Sequence, residues 1–460
     1  MKKNGPAWTL VATSFGLGMA LLDVTAGNVA VPSIQASLNT DLRGLSWVID
    51  GYTLSFASLL LLAGGLADRL GAKRLFAAGL VLFTLASAAC GLAPDALSLI
   101  GARVVQGMGA ALFMPSSLSI LGRAYPDPRR RAQAIGIWSS LTAVAGASGP
   151  LVGGLLVGTL GWRSIFLLNI PLGIAGSLLA IWAIPQTPST ERKSLDLGAQ
   201  VIGAFALAAF TWALIERVPR GWGSPAVLAA FAVSVASATL FIAWERRAKH
   251  PMLPLKLFES RAFSTTAAGA LLYAAGFFGG LLVLSLYFQN VRGESAALAG
   301  LHITAITVTF GVTSIVAGRL AGRYGPRRPI LAGLALLSAS AFALSGLTPE
   351  VPFAAVGPVL ATIGLGAGLV APPMNAAILA SVPPSHAGMG SGVLNASRQI
   401  GTALGVAVFA SFFHSGPAIG AVHLAMLCAG ALYLASLGVV ALAPRRVEAQ
   451  ARMPVVPLVD

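Results

Sequence analysis

Stretches of about 20 apolar residues, the length an α-helix needs to cross the hydrocarbon core of a bilayer, recur along the whole chain. In lipid no water satisfies a stray amide, so a chain made of such stretches folds into helices. Of the 460 residues, 56% are hydrophobic and 10% charged, whereas a soluble domain carries about a quarter charged residues. The chain therefore reads as an all-α polytopic membrane protein. Charged and Pro/Gly-rich breaks divide it into fourteen spans, at 8–31, 46–66, 75–93, 97–121, 133–158, 163–184, 196–216, 225–244, 263–288, 297–318, 329–348, 353–380, 388–413 and 419–442. The first follows Lys2 and Lys3. It is too long for a signal-peptide core, and further spans follow closely, so it reads as a retained helix.

The net charge of +15 has a sidedness. With the N-terminus in the cytoplasm, 23 Lys and Arg fall on inner segments and only Arg43, Arg163, Arg217, Arg220 and Arg292 on outer ones; Arg103 and Arg398 lie within spans. Such asymmetry orients helices in a membrane. It places both termini in the cytoplasm, makes the bilayer the partner of the basic charge and excludes nucleic acid. Cys90 and Cys428 sit in apolar runs without paired spacing and read as packing residues, with no metal or disulfide implied.

Residues 63–80, "AGGLADRLGAKRLFAAGL", return at an offset of 254 as "AGRLAGRYGPRRPILAGL" at 317–334. Each copy follows a second span and precedes a third, which implies two six-helix repeats, an organisation typical of transporters. The offset exceeds six spans by about two. The expected organisation is a bundle at 1–190, two inserted helices at 191–250, and a second bundle with a short cytoplasmic tail at 251–460.

Five segments carry a family resemblance. "GGLADRLGAKR" at 64–74 is similar to the loop motif of the major facilitator superfamily, and "ARVVQGMGAA" at 102–111 resembles its fourth-span motif. "GASGPLVGGLL" at 146–156 resembles the fifth-span motif of its antiporters. "LLDVTAGNVAVPSI" and "GWRSIFLLNIPLG" resemble segments of its fourteen-span drug:proton antiporter family. The resemblance implies a major-facilitator fold of fourteen transmembrane helices and export of a small lipophilic drug, antibiotic or metabolite. The proton gradient would supply the energy, with no cofactor, and the chain would work as a monomer in the cell membrane. An uptake carrier or uniporter of the same fold is the alternative, and a non-transporting sensor a more distant one. No GxxxxGK[ST], GxSxG or HExxH occurs, so neither an ATP motor nor an enzyme is indicated.

Few ionisable groups lie within spans. Asp23 stands about 22 Å along the first helix, and Arg103 about 9 Å along the oppositely directed fourth, at 1.5 Å per residue. The two therefore share a depth, on helices that the resemblance places around a central cavity. They read either as a structural ion pair or as a proton-binding carboxylate with its partner, and Asp50 is a second candidate for proton coupling. The resemblance assigns a gating role to Gly64, Asp68, Arg69, Gly71 and Arg74, with Arg123 as a partner of Asp68. It assigns a proton seal to Gly146, Gly149, Pro150, Gly153 and Gly154. Asn28, Tyr52, Gln106, Phe113, Tyr273 and Arg398 are candidates for the substrate cavity. Glu216 reads as interfacial, and Trp8, Trp47, Trp162, Trp182 and Trp222 as anchors near span ends.

Overall fold

The computed structural model describes residues 5–40, 42–186, 197–248, 255–413 and 418–443. Lys2, Lys3, Arg192, Lys193, Lys249, Arg445, Arg446 and Arg452, all expected on the inner side, lie outside the described residues, as do the side chains of Asn28, Arg43 and Pro150. The described chain forms α1 (Pro6–Leu38), α2 (Leu42–Leu70), α3 (Ala72–Gly91), α4 (Ala96–Ala124), α5 (Pro128–Leu160), α6 (Arg163–Ala183), α7 (Leu197–Arg220) and α8 (Pro225–Arg247). It continues with α9 (Arg261–Leu286), α10 (Ala296–Tyr324), α11 (Arg327–Leu344), α12 (Phe353–Ala380), α13 (Ala387–Phe412) and α14 (Ala418–Ala441). Most run several residues beyond the apolar stretches that announce them.

Eleven of these helices are long and apolar enough to cross a membrane; α2, bent by 53° at Leu61, makes a twelfth if its halves count as one span. Length and apolarity thus support eleven or twelve of the fourteen expected spans. The two helices outside that set are α7, which ends in Glu216, Arg217 and Arg220, and α13, which carries Ser391, Asn395 and Arg398. Ser391 and Asn395 are buried, so α13 has the composition of a helix surrounded by other helices rather than by lipid.

Local chemistry fixes the helix starts. Asp95 caps α4 in a reciprocal box with Ser98, whose backbone N–H donates to its carboxylate at 2.8 Å. That bond and the Ser98 hydroxyl hold the Asp95 carboxyl below its ordinary range. Asp127 caps α5 by accepting from Arg130 N at 2.8 Å, with Pro128 at the first helical position. Gly71, at φ 94°, makes the sharp turn from α2 to α3 in a conformation that disfavours any side chain.

The sequence repeat becomes a repeat of packing. In the first half α4 packs on α2 and α3, and α1 on α5, α6 and α4; in the second, α12 packs on α10 and α11, and α9 on α13 and α14. The halves meet where α2 lies on α13 and α5 on α10. Helices α7 and α8 pack on each other, and α7 also lies on α2. Glycines set the closest contacts. A Cβ on Gly79 would lie 2.8 Å from Gly109 O, and one on its repeat counterpart Gly333 would lie 2.5 Å from Gly366 O. Between the halves, a Cβ on Gly64 would lie 2.6 Å from Gly388 O, and one on Gly318 would lie 2.6 Å from Ala132 O. Without a hydrophobic force between helices in lipid, such close backbone approach is a main source of association.

Gly333→Val forces α11 and α12 apart and should cost about 1–3 kcal/mol. Thermal unfolding of the detergent-purified protein should show a clear drop in Tm. Gly420→Ala, whose added Cβ meets nothing within 4 Å, should leave Tm unchanged.

Candidate functional site

The structure brings five helices of the first half together around Asp23. The Arg103 Nη1 donates to Asp23 Oδ2 at 2.6 Å and to Gln106 Oε1 at 2.6 Å. Gln106 Nε2 and Asn169 Nδ2 donate to Asp23 Oδ1 at 3.0 and 2.6 Å. The same two amides donate to Ser87 Oγ at 2.7 and 3.3 Å. Arg103 Nε donates to Val48 O at 3.1 Å, and the guanidinium lies 4.5 Å over the Tyr52 ring. Asp23 is 1% exposed and Arg103 4%. A buried carboxylate persists only when paired and hydrogen-bonded. Here a cation and two amides meet it, and Ser87 and Val48 fix those donors in turn.

Asn169 and Ser87 were not singled out in the sequence, although Asn169 stands alone as a polar residue in "IFLLNIPLG". Gln106, a cavity candidate by sequence, is instead fully buried as a link in this network. Cys90 does more than pack: its thiol donates to Gln106 Oε1 at 3.8 Å. Asp50 is apart from this network. It stands on the half-exposed part of α2, where the charge of Glu216 on α7 acts on it.

Glu216, expected at the membrane interface, is 2% exposed; it pairs with Arg220 of the same helix at 2.5 Å and accepts from Trp47 Nε1 at 3.1 Å, which ties α7 to α2. Of the expected anchors, Trp162 is buried at the start of α6, while Trp8, Trp182 and Trp222 are exposed.

A second polar centre joins the halves. The Asp68 carboxylate accepts from Gly388 N and Met389 N, each at 2.8 Å, at the first turn of α13. A helix N-terminus offers unpaired N–H groups and a positive dipole end, both suited to an anion. Gly64 admits α13 one turn away, and the charge of Arg123, in the last turn of α4, also bears on Asp68. Arg69 lies in the last turn of α2, and Arg74 is exposed on α3. Sequence names Asp68 and Arg123 but not the backbone groups that hold the carboxylate. These lie 320 and 321 positions away, heralded only by the glycine-rich "AGMGSG".

The fifth-span glycines divide into two groups. Gly149 and Gly153 face α1 at Thr25 and Ala26, where a Cβ on Gly153 would lie 3.0 Å from Ala26 O. Gly146 makes ordinary contact with Leu21, and Gly154 and Gly158 face open space. The close pair therefore sets the position of α1 within one turn of Asp23.

Among the cavity candidates, Phe113 is fully buried against Phe76 and Phe83, so it is a packing residue. Tyr273 is buried and stacked on Phe277, while half-buried Arg398 donates to Asn375 Oδ1 at 3.3 Å. Between α1, α5 and α6 lies an apolar groove of about 330 Å³, lined by Ser14, Phe15, Met19, Leu141 and Leu172 among others.

Residues 13–406 match the family described as Major Facilitator Superfamily. The chain is 42% identical over 406 residues to the methylenomycin A resistance protein of Streptomyces coelicolor, covering 88% of this chain and 85% of that one. It is 37% identical over 426 residues to the methylenomycin A resistance protein of Bacillus subtilis, covering 92% and 91%. The crystal structure of the human organic anion transporter MFSD10 (TETRAN) shares the fold, with a TM-score of 0.68 at 16% identity over 95% of this chain and 99% of that one. The chain belongs to the Major Facilitator Superfamily. It is a multi-pass membrane protein, and transport rather than catalysis is the role that family indicates.

Arg103→Ala strands a buried carboxylate and should cost about 3–5 kcal/mol. The Asp23→Asn/Arg103→Gln double variant removes both charges and should regain most of that loss in thermal unfolding of the purified protein.

Proposed function

We propose that this chain is a proton-coupled antiporter of fourteen spans that exports lipophilic antibiotics or related metabolites across the cytoplasmic membrane. Both termini would face the cytoplasm. The single observation that carries the reading is the Asp23 centre: one carboxylate, deep among apolar helices, held by one guanidinium and two amides. The relatives named for methylenomycin A resistance support export, and the apolar groove beside α1 suits a lipophilic cargo.

The proton would enter from the outside. Adding it to Asp23 removes the charge that Arg103 compensates, and Arg103 keeps Gln106 Oε1 and Val48 O as acceptors. Asn169 fits both states. Its Nδ2 donates to the carboxylate, and its Oδ1, buried and with no donor among the described residues, can accept from the carboxylic acid once the amide turns over. Loss of the ion pair frees α1 to shift relative to α4. At the inner end, opening would part α2 from α13 and α5 from α10, which breaks the two hydrogen bonds to Asp68. Hydration of Asp23 from the cytoplasm, close to Arg103, would then release the proton and reset the cycle. Tyr52, Tyr273 and Arg398 would line the path of the cargo.

Inside-out vesicles carrying a preformed proton gradient test this reading. A panel of lipophilic antibiotics should dissipate the gradient in wild type, and Asp23→Asn at equal expression should abolish the response. Dissipation unchanged in Asp23→Asn would refute coupling through this residue.

The glycine geometry adds a finer expectation. Gly153→Val, which pushes on α1, should lower antibiotic-driven proton flux at least about tenfold, for more than about 1.4 kcal/mol of strain. Gly154→Val should transport as wild type.

A further inference from the structure

The repeat that places Asp68 at the α2–α13 contact places Gly322 at the α5–α10 contact. The backbone packing is reproduced there. A Cβ on Gly318 would lie 3.0 Å from Gly136 Cα, and one on Gly322 would lie 2.9 Å from Arg129 O. The carboxylate is not reproduced. In its place is a concavity of about 710 Å³, lined by Asp127, Arg129, Arg130 and Gln133 from the start of α5 and by Arg319 and Arg323 from the end of α10. Four guanidiniums from both halves thus face one carboxylate, and Asp127 is already engaged as the cap of α5 through Arg130 N. Arg323 lies 5.2 Å over the Tyr324 ring, and no ion pair to any of the four arginines occurs among the described residues.

Like charges brought together at a contact too close for a methyl group oppose that contact, and an anion between them reverses the sign. Guanidinium groups recognise phosphate by paired hydrogen bonds, which carboxylates already present on the chain do not supply here. We propose that this concavity binds a phosphate group that bridges α5 and α10 and closes the second contact between the halves, as Asp68 closes the first. Two sources share this chemistry: the headgroup of an anionic phospholipid, which basic pockets between membrane helices accept, and a free phosphate or small phosphorylated anion. The proposal goes beyond antiport and stands whether or not the chain couples to protons.

The test uses the full-length purified protein, with Arg319→Gln/Arg323→Gln as the site variant and Arg246→Gln/Arg247→Gln, at the exposed end of α8, as the charge-matched control. Inorganic phosphate, at an ionic strength matched with chloride, should raise the Tm of wild type and control by about 2 °C or more and leave the site variant unmoved. That outcome identifies a free phosphate as sufficient. If phosphate has no effect, native mass spectrometry after reconstitution in phosphatidylglycerol or phosphatidylcholine decides. Retention of phosphatidylglycerol by wild type and control, but not by the site variant, identifies the lipid headgroup. Without either ligand the site variant should unfold at or above the wild-type Tm, since it lacks the repulsion. Loss of the effect in the control as well, no discrimination by either ligand, or a site variant less stable than wild type in plain buffer would each overturn the proposal.

Discussion

A charge placed among apolar helices has to be compensated by the protein itself, and the first half of this chain is organised around that requirement. Asp23 on α1 takes its cation from α4, its amides from α4 and α6, and the groups that hold those donors from α2 and α3. Removing one partner leaves the others with unmatched polar atoms in a low-dielectric setting, where each costs far more than in water. The centre is therefore rigid while the carboxylate is charged. The same physics makes Asp23 expensive to bury and dependent on every one of its partners.

That centre depends on helices that approach closely without side chains between them. Gly149 and Gly153 hold α5 against α1 beside Thr25 and Ala26, and Gly79 with Gly109 holds α3 against α4. Between the halves the same device recurs at Gly64 with Gly388 and at Gly318 with Ala132 and Gly136. Small residues give strong dispersion contact over a narrow seam and no interlocking side chains to disengage. Such a seam can part and re-form as rigid halves move. The chain nevertheless treats its two seams with different chemistry: a carboxylate on a helix N-terminus joins one, and four guanidiniums beside one carboxylate line the other.

Much of this is legible in the sequence where the governing rule is local. The depth match of Asp23 and Arg103 follows from the helical rise alone, and the repeat follows from matching glycines and arginines. What the sequence hides is non-local or neutral. Asn169 carries no charge, so nothing in its run distinguishes an Asn that serves Asp23 from one that packs. The groups that donate to Asp68 across the seam are backbone N–H groups in another repeat. Glu216 reads from sequence as an interfacial helix-end acid, and nothing in its run announces that α7 lies on α2 and brings Trp47 to it. Phe113 is a cavity candidate by its depth in the fourth span, but Phe76 and Phe83 enclose it. The expected fourteen spans exceed the number that pass on length and apolarity at α7 and α13, since helices that pack on other helices do not need an unbroken apolar surface.

The most direct test of the central claim is to observe the Asp23 carboxyl itself. Infrared difference spectra of the reconstituted protein, recorded at one fixed pH with and without an antibiotic that dissipates the proton gradient, should show a change in the C=O stretch of a protonated carboxylic acid in a dehydrated site. That cargo-induced change should be lost in Asp23→Asn. A cargo-induced difference identical in wild type and Asp23→Asn would contradict an account in which this carboxylate carries the coupled proton.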